Sequence, residues 1–141
     1  MRQLASLLLC LAVAIGLAGC TVTVNSSPPG TVMPDGSVYL GFVLASRKKT
    51  DKDWMLVGQE QGYFSSLRFK VEDRPYRLDK MVVTFEGGER WTAPVQQEFG
   101  AETWSPEIQL PGQKMVHKVS FHGQAGGKKG LMAKISLYGR R

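Results

Sequence analysis

Hydrophobic and polar positions divide this chain into three parts. Leu4 to Leu17 (LASLLLCLAVAIGL) is almost wholly apolar. Thr21 to Gly36 (TVTVNSSPPGTVMPDG) is polar and punctuated by Pro and Gly. From Ser37 onward, short apolar runs are separated by turn residues and no helical period develops. Ser37–Ser46 (SVYLGFVLAS) is rich in strand formers, and Trp54–Val57 (WMLV) is a short apolar run ended by Gly58. Leu67, Phe69 and Val71 alternate with Arg68, Lys70 and Glu72, the pattern of a half-buried strand. Tyr76 to Phe85 repeats it, with Met81, Val83 and Phe85 on one face, before Gly87-Gly88 turns the chain.

Ile108 and Leu110 lead into Pro111-Gly112, which reads as another turn. Met115–His122 and Leu131–Tyr138 are the last two expected strands, joined by a loop over 123–130. About seven or eight strands without a helix predict an all-β fold, an antiparallel β-sandwich of jelly-roll or immunoglobulin-like form. The expected organisation is a leader over 1–19, a flexible tether over 20–36 and a β-sandwich domain over 37–141.

The leader has the features of a secretory signal. Met1-Arg2 gives a positive start, and an apolar run of 14 residues is too short to cross a bilayer as a helix, which takes roughly 20. It ends in Leu17-Ala18-Gly19-Cys20. An ordinary secretory site does not require that cysteine. The four residues resemble the lipobox of bacterial lipoproteins, in which the thiol takes a diacylglyceryl group before the signal is removed. That resemblance implies acylation at Cys20, palmitate-type chains included, and a membrane partner through the N-terminal lipid. Thr21 stands where an Asp would favour the inner membrane, so the outer membrane is the expected location, with the domain facing the periplasm or the surface. A plain signal peptide with a chance cysteine is the other reading. Cys10 is lost with the leader, so the mature chain has no second thiol for a disulfide, and its core must hold it together.

Charge adds a preference for anionic partners. The chain has 18 Lys and Arg against 12 Asp and Glu, and losing Arg2 brings the net charge from +6 to about +5. In an envelope compartment the anionic partners are lipid headgroups and acidic glycans rather than nucleic acid. Two basic runs are candidates for such contact: Arg47, Lys48, Lys49 and Lys52 after the first strand, and Lys128 with Lys129 in the last loop. Plain solubility is the competing account of both. Trp54, Trp91 and Trp104 lie at strand ends or in loops and are candidates for stacking on sugar rings. A small β-domain without disulfides also needs large side chains inside, so at least two of the three are expected in the core.

Reactive chemistry is hard to assemble. No G-x-S-x-G elbow is present. His117 and His122 fall five apart on one strand, so strict alternation sends them to opposite faces. Asp51-x-Asp53 lacks the rest of a calcium loop. Glu86 and Glu89 flank a tight turn rather than a cleft. Gly126-Gly127-Lys128-Lys129-Gly130 fails the spacing of a phosphate-binding loop and precedes a strand. No cofactor, metal or catalytic residue is expected.

The element order, however, resembles a known family. Asp53–Gly58 (DWMLVG), Gly62–Val71 (GYFSSLRFKV), Leu78–Phe85 (LDKMVVTF), Ile108–Gly112 (IQLPG), Val116–Phe121 (VHKVSF) and Ala133–Gly139 (AKISLYG) are similar to DUF2541, a bacterial exported domain family of unknown function, over roughly 38–139. Gln113-Lys114 departs from it, since the family pattern usually has Arg after the Leu-x-Gly turn. The resemblance implies an envelope β-domain and transfers no catalytic residue. The expected function is therefore a lipid-anchored, non-enzymatic binding or scaffolding domain with an envelope protein, anionic glycan or lipid as partner. A carbohydrate-binding module is the alternative.

Overall fold

A computed structural model describes residues 27–46, 52–127 and 131–141, with Lys52 described in its backbone alone. Nine strands form in chain order: β1 (Val38–Ala45), β2 (Lys52–Leu56), β3 (Tyr63–Glu72), β4 (Tyr76–Phe85), β5 (Arg90–Ala93), β6 (Gln97–Phe99), β7 (Thr103–Trp104), β8 (Ile108–Ala125) and β9 (Ala133–Arg140). The fold is all-β, as the alternation requires. The strands beyond the expected seven or eight come from β5, β6 and β7. These hold two to four residues each, too few to display a period.

Every pairing is antiparallel. In one layer β9 lies between β1 and β3, and β3 also pairs with β7 and with the start of β8. In the other, β8 lies between β2 and β4, and β4 also pairs with β5 and β6. The 18-residue β8 belongs to both layers and makes them one curled nine-stranded sheet.

Pro111-Gly112 does not reverse the chain. It falls inside β8, where the residues between Gln109 (opposite Ser66) and Lys114 (opposite Phe64) bulge out against the single residue Ser65. Pro111 has no amide hydrogen to give to a ladder, and Gly112 takes φ 98°. Such residues suit a bulge as well as a turn. Past this bulge the strand pairs with β3 for two more residues, Lys114 and Met115, and then joins β4 and β2.

The inward positions form one core. Leu67, Phe69 and Val71 of β3 and Met81, Val83 and Phe85 of β4 are all buried, on the face that alternation assigned them. Phe69 sits at the centre, edge-on to Phe99 at 5.1 Å and to Phe121 at 5.4 Å. The tryptophans do not fill the interior as expected. Phe64, Phe69, Phe85, Phe99, Phe121 and Tyr76 fill it, while Trp91 packs only partly against it. Phenylalanine has no indole N–H to satisfy in an apolar interior.

The N-terminal segment folds back on β1. Gly30 and Thr31 exchange backbone hydrogen bonds with Tyr39 at 2.7 and 2.8 Å, and Met33 bonds Ser37 at 2.8 Å. Asp35 accepts bonds from the amide and hydroxyl of Ser37 and pairs with Arg68 and Arg140. These contacts extend the folded domain back from Ser37 to about Pro28. The leader, Cys20 and the first part of the expected tether lie outside the described residues.

Candidate functional site

Two outward surfaces carry the unusual side chains. The first is the outer face of the β1–β9–β3 layer. Tyr39, Tyr138 and Arg68 occupy neighbouring positions across three strands. Tyr39 and Tyr138 lie 5.3 Å apart, and Trp104 lies 5.0 Å from Tyr138. The Arg68 guanidinium stands over Trp104 at 4.3 Å. Burial raises both tyrosine hydroxyls above their ordinary pKa. The row ends in ion pairs: Asp35 with Arg68 and Arg140, and Arg140 with Glu107 at 3.5 Å. It is a knit surface in which Asp35, Arg68, Arg140 and Glu107 are joined by ion pairs.

The second surface runs along β1 and β2, the last strands of their layers. Phe42 (43%), Leu44 (50%), Trp54 (52%) and Leu56 (57%) are large apolar side chains left in solvent there. Phe42 and Leu56 line one groove of about 530 Å³ with Ser27, Pro28, Pro29, Leu40 and Met55. Leu44 follows Phe42 on the same face of β1, and Trp54 precedes Leu56 on the same face of β2, so each strand extends the groove shared by Phe42 and Leu56 by one apolar side chain. Lys134 lies over Phe42 at 4.7 Å and Lys118 over Trp54 at 4.9 Å. Gly41 lets the strands approach closely: a Cβ there would meet the Met55 methyl at 2.9 Å.

This apolar surface was not singled out in the sequence, although a signal existed. SVYLGFVLAS is apolar at both alternating positions, the mark of a strand covered on two sides. One side of β1 lies on the core and the other, at Phe42 and Leu44, lies open.

The tryptophan candidates do not share a rim. Trp54 is on the outer face of the β2–β8–β4 layer. Trp104 (41% exposed) is on the outer face of the other layer, and Trp91 leans on the core. Both exposed rings already carry a cation over one face. Of the basic candidates, Arg47, Lys48, Lys49, Lys128 and Lys129 lie outside the described residues, as does the Lys52 side chain.

The histidines depart from strict alternation. Lys118 pairs with Thr84 and Val116 with Phe85, a bulge that leaves Val116 and Val119 both inward. His117 is thereby turned outward, on the same side as His122. Five residues of strand still hold them about 16 Å apart. His117 Nδ1 lies 3.4 Å from Glu86, beside the Gly87-Gly88 turn. No group of three or more metal-ligating side chains occurs among the described residues.

Tyr76 is a second buried polar group. Its ring is in the core, and its hydroxyl finds no hydrogen-bond partner among the described residues. Burial, followed by the charges of Asp53 and Asp79, pushes its pKa upward. Pro75, Tyr76, Arg77, Glu98, Phe99 and Gly100 line a shallow cavity of about 280 Å³ at that end of the molecule.

Together these features define a small antiparallel β-domain whose singular surface is an apolar strip at its open edge. The chain belongs to the family described as domain of unknown function DUF2541, whose model matches residues 7–139. No curated protein and no solved structure matches it.

Proposed function

We propose that this protein is a lipid-anchored component of a bacterial cell envelope whose β-domain works by binding rather than by catalysis. The observation that carries the reading is Leu17-Ala18-Gly19-Cys20 at the end of an apolar leader, with Cys20 seven residues before Ser27, the first described residue. A thiol at that spacing is what acyl transfer needs, and two or more acyl chains hold a protein on a bilayer stably. Membership of a family described only as a domain of unknown function leaves the reading to rest on the residues.

The outer membrane is the proposed location, following Thr21 after the cysteine. The basic residues Arg47, Lys48, Lys49, Lys52, Lys128 and Lys129 are the proposed contacts with anionic lipid or glycan, beside an envelope protein as partner. The carbohydrate-binding alternative draws no support from the tryptophans. A sugar platform needs free ring faces gathered on one rim, and here each exposed ring is capped and the two stand on different layers.

Intact mass of the membrane-extracted protein tests the anchor. The expected mass corresponds to loss of residues 1–19 plus acyl chains for the wild type, with no acyl mass for Cys20→Ala. An unmodified wild-type mass would overturn the reading.

A further inference from the structure

We infer that the strip formed by Phe42, Leu44, Trp54 and Leu56 rests on the phospholipid bilayer, so that the domain lies on the membrane in one fixed orientation instead of swinging from its tether. This rests on the lipid-anchor reading and adds a second contact to it.

The position of the tether carries the argument. Ser27, Pro28 and Pro29 line the same groove as Phe42 and Leu56. The chain therefore leaves the folded domain beside the strip. From Cys20 to Ser26 there are seven residues, which span at most about 25 Å when fully extended. A domain on so short a lead must keep the part nearest its exit point close to the bilayer, and that part is the apolar one. A link of this length gives an effective concentration on the order of millimolar. A weak intrinsic affinity then suffices to keep the strip engaged.

The chemistry of the strip suits a bilayer surface. Trp54 has an apolar ring and an N–H that belongs at headgroup level, between acyl chains and water. Leu56, Phe42 and Leu44 are side chains that enter the acyl boundary, about 5–10 Å deep for interfacial elements. Lys118 and Lys134 stand over the two rings, where their ammonium groups would meet lipid phosphates. Neither forms an ion pair within 4.0 Å among the described residues, though Glu72 stands opposite Lys134 across the β3–β9 ladder. An apolar centre with a lysine beside each ring is complementary to an anionic lipid surface.

The edges point the same way. β1 and β2 are the last strands of their layers; the segment over 30–33 covers only the start of β1, and exposed apolar edge strands invite pairing with another chain. A surface that lies against lipid is hidden from such partners while the protein is anchored.

Trp54 itself reports on the contact. The full acylated protein is reconstituted into vesicles of phosphatidylethanolamine and phosphatidylglycerol, with or without bromine on the acyl chains, and tryptophan emission is recorded. Brominated lipid should lower wild-type emission by up to about a third, the share of one indole in three, as expected for an indole at the acyl boundary. Trp54→Phe should remove most of that quenching. Phe42→Ser with Leu56→Ser, both at exposed positions, should abolish it while the protein still floats with the vesicles.

Flotation without quenching, or equal quenching of the wild type and Trp54→Phe, would overturn the docking and leave the anchor standing. A cross-linked dimer through β1 or β2, in place of quenching, would overturn it in favour of a second copy. Absence of acyl mass together with absence of flotation would overturn both.

Discussion

Asp35 shows how a single side chain closes the N-terminal end of the domain. Its carboxylate accepts from the Ser37 hydroxyl and amide, and it faces Arg68 and Arg140. Those two hydrogen bonds, with the arginine charges behind them, hold its pKa below the ordinary 3.8. A lowered folded pKa means that the charged form stabilises the fold. The contribution is complete above 3.8 and is lost as pH falls through the lowered value. Asp35→Asn should therefore lower the thermal midpoint at neutral pH, and its melting curve should converge on the wild type as the pH drops below 3.8. Circular dichroism melts across that range would check it.

Phe69 acts at the same scale but through packing alone. It is fully buried between Phe99 and Phe121, so Phe69→Ala should cost about 3–5 kcal/mol in urea unfolding. Its burial was legible in the sequence, because Leu67, Phe69 and Val71 alternate with charges. The exposure of Phe42 and Leu44 was not. Hydrophobicity states that a side chain prefers cover, and the fold decides whether cover is supplied.

At the scale of elements, β8 carries the most constraint. Gly123 lies opposite Leu78, and a Cβ there would sit 2.0 Å from the Arg77 carbonyl oxygen and 2.7 Å from the Tyr76 hydroxyl. The backbone oxygen cannot move aside without opening the β4–β8 ladder. Gly123→Ala should destabilise the domain by about 3 kcal/mol or more, whereas Gly36→Ala meets no atom and should cost only the roughly 1–2 kcal/mol strain of a side chain at φ 86°. Paired urea titrations would separate the two. The extent of β8 was hidden from sequence reasoning because Pro111-Gly112 is local punctuation of one kind for a turn and for a bulge. Which of them forms depends on partners that lie far away in the chain, Ser65 here. β1 and β4, by contrast, were legible to within a residue or so, β1 as an apolar run closed by Ser37 and Ser46 and β4 by its alternation.

For the whole molecule, the placement of the tryptophans makes a distinct optical prediction. Acrylamide should quench wild-type emission strongly, since Trp54 and Trp104 are exposed. A Trp54→Phe, Trp104→Phe double variant should keep a weaker, better shielded signal from Trp91. Stern–Volmer plots of the two proteins would show the difference as a fall in slope. The candidate anchor at Cys20 was legible because it depends on four consecutive residues. A surface assembled from β1, β2 and the segment before β1 depends on the closure of the entire sheet, and the doubly apolar run of β1 marks only that both of its faces prefer cover.

The register of β1 has a mechanical consequence. Val38, its first residue, lies opposite Gly139 near the end of β9. The segment that enters β1 is held by the hydrogen bonds of Gly30 and Thr31 to Tyr39. A pull transmitted through the N-terminal segment therefore loads these bonds first. It then reaches the β1–β9 ladder from one end, pair after pair, as a zipper is opened, instead of shearing all rungs together. Under tension the domain should yield at β1 with little force, leaving β3, β4 and β8 folded behind it.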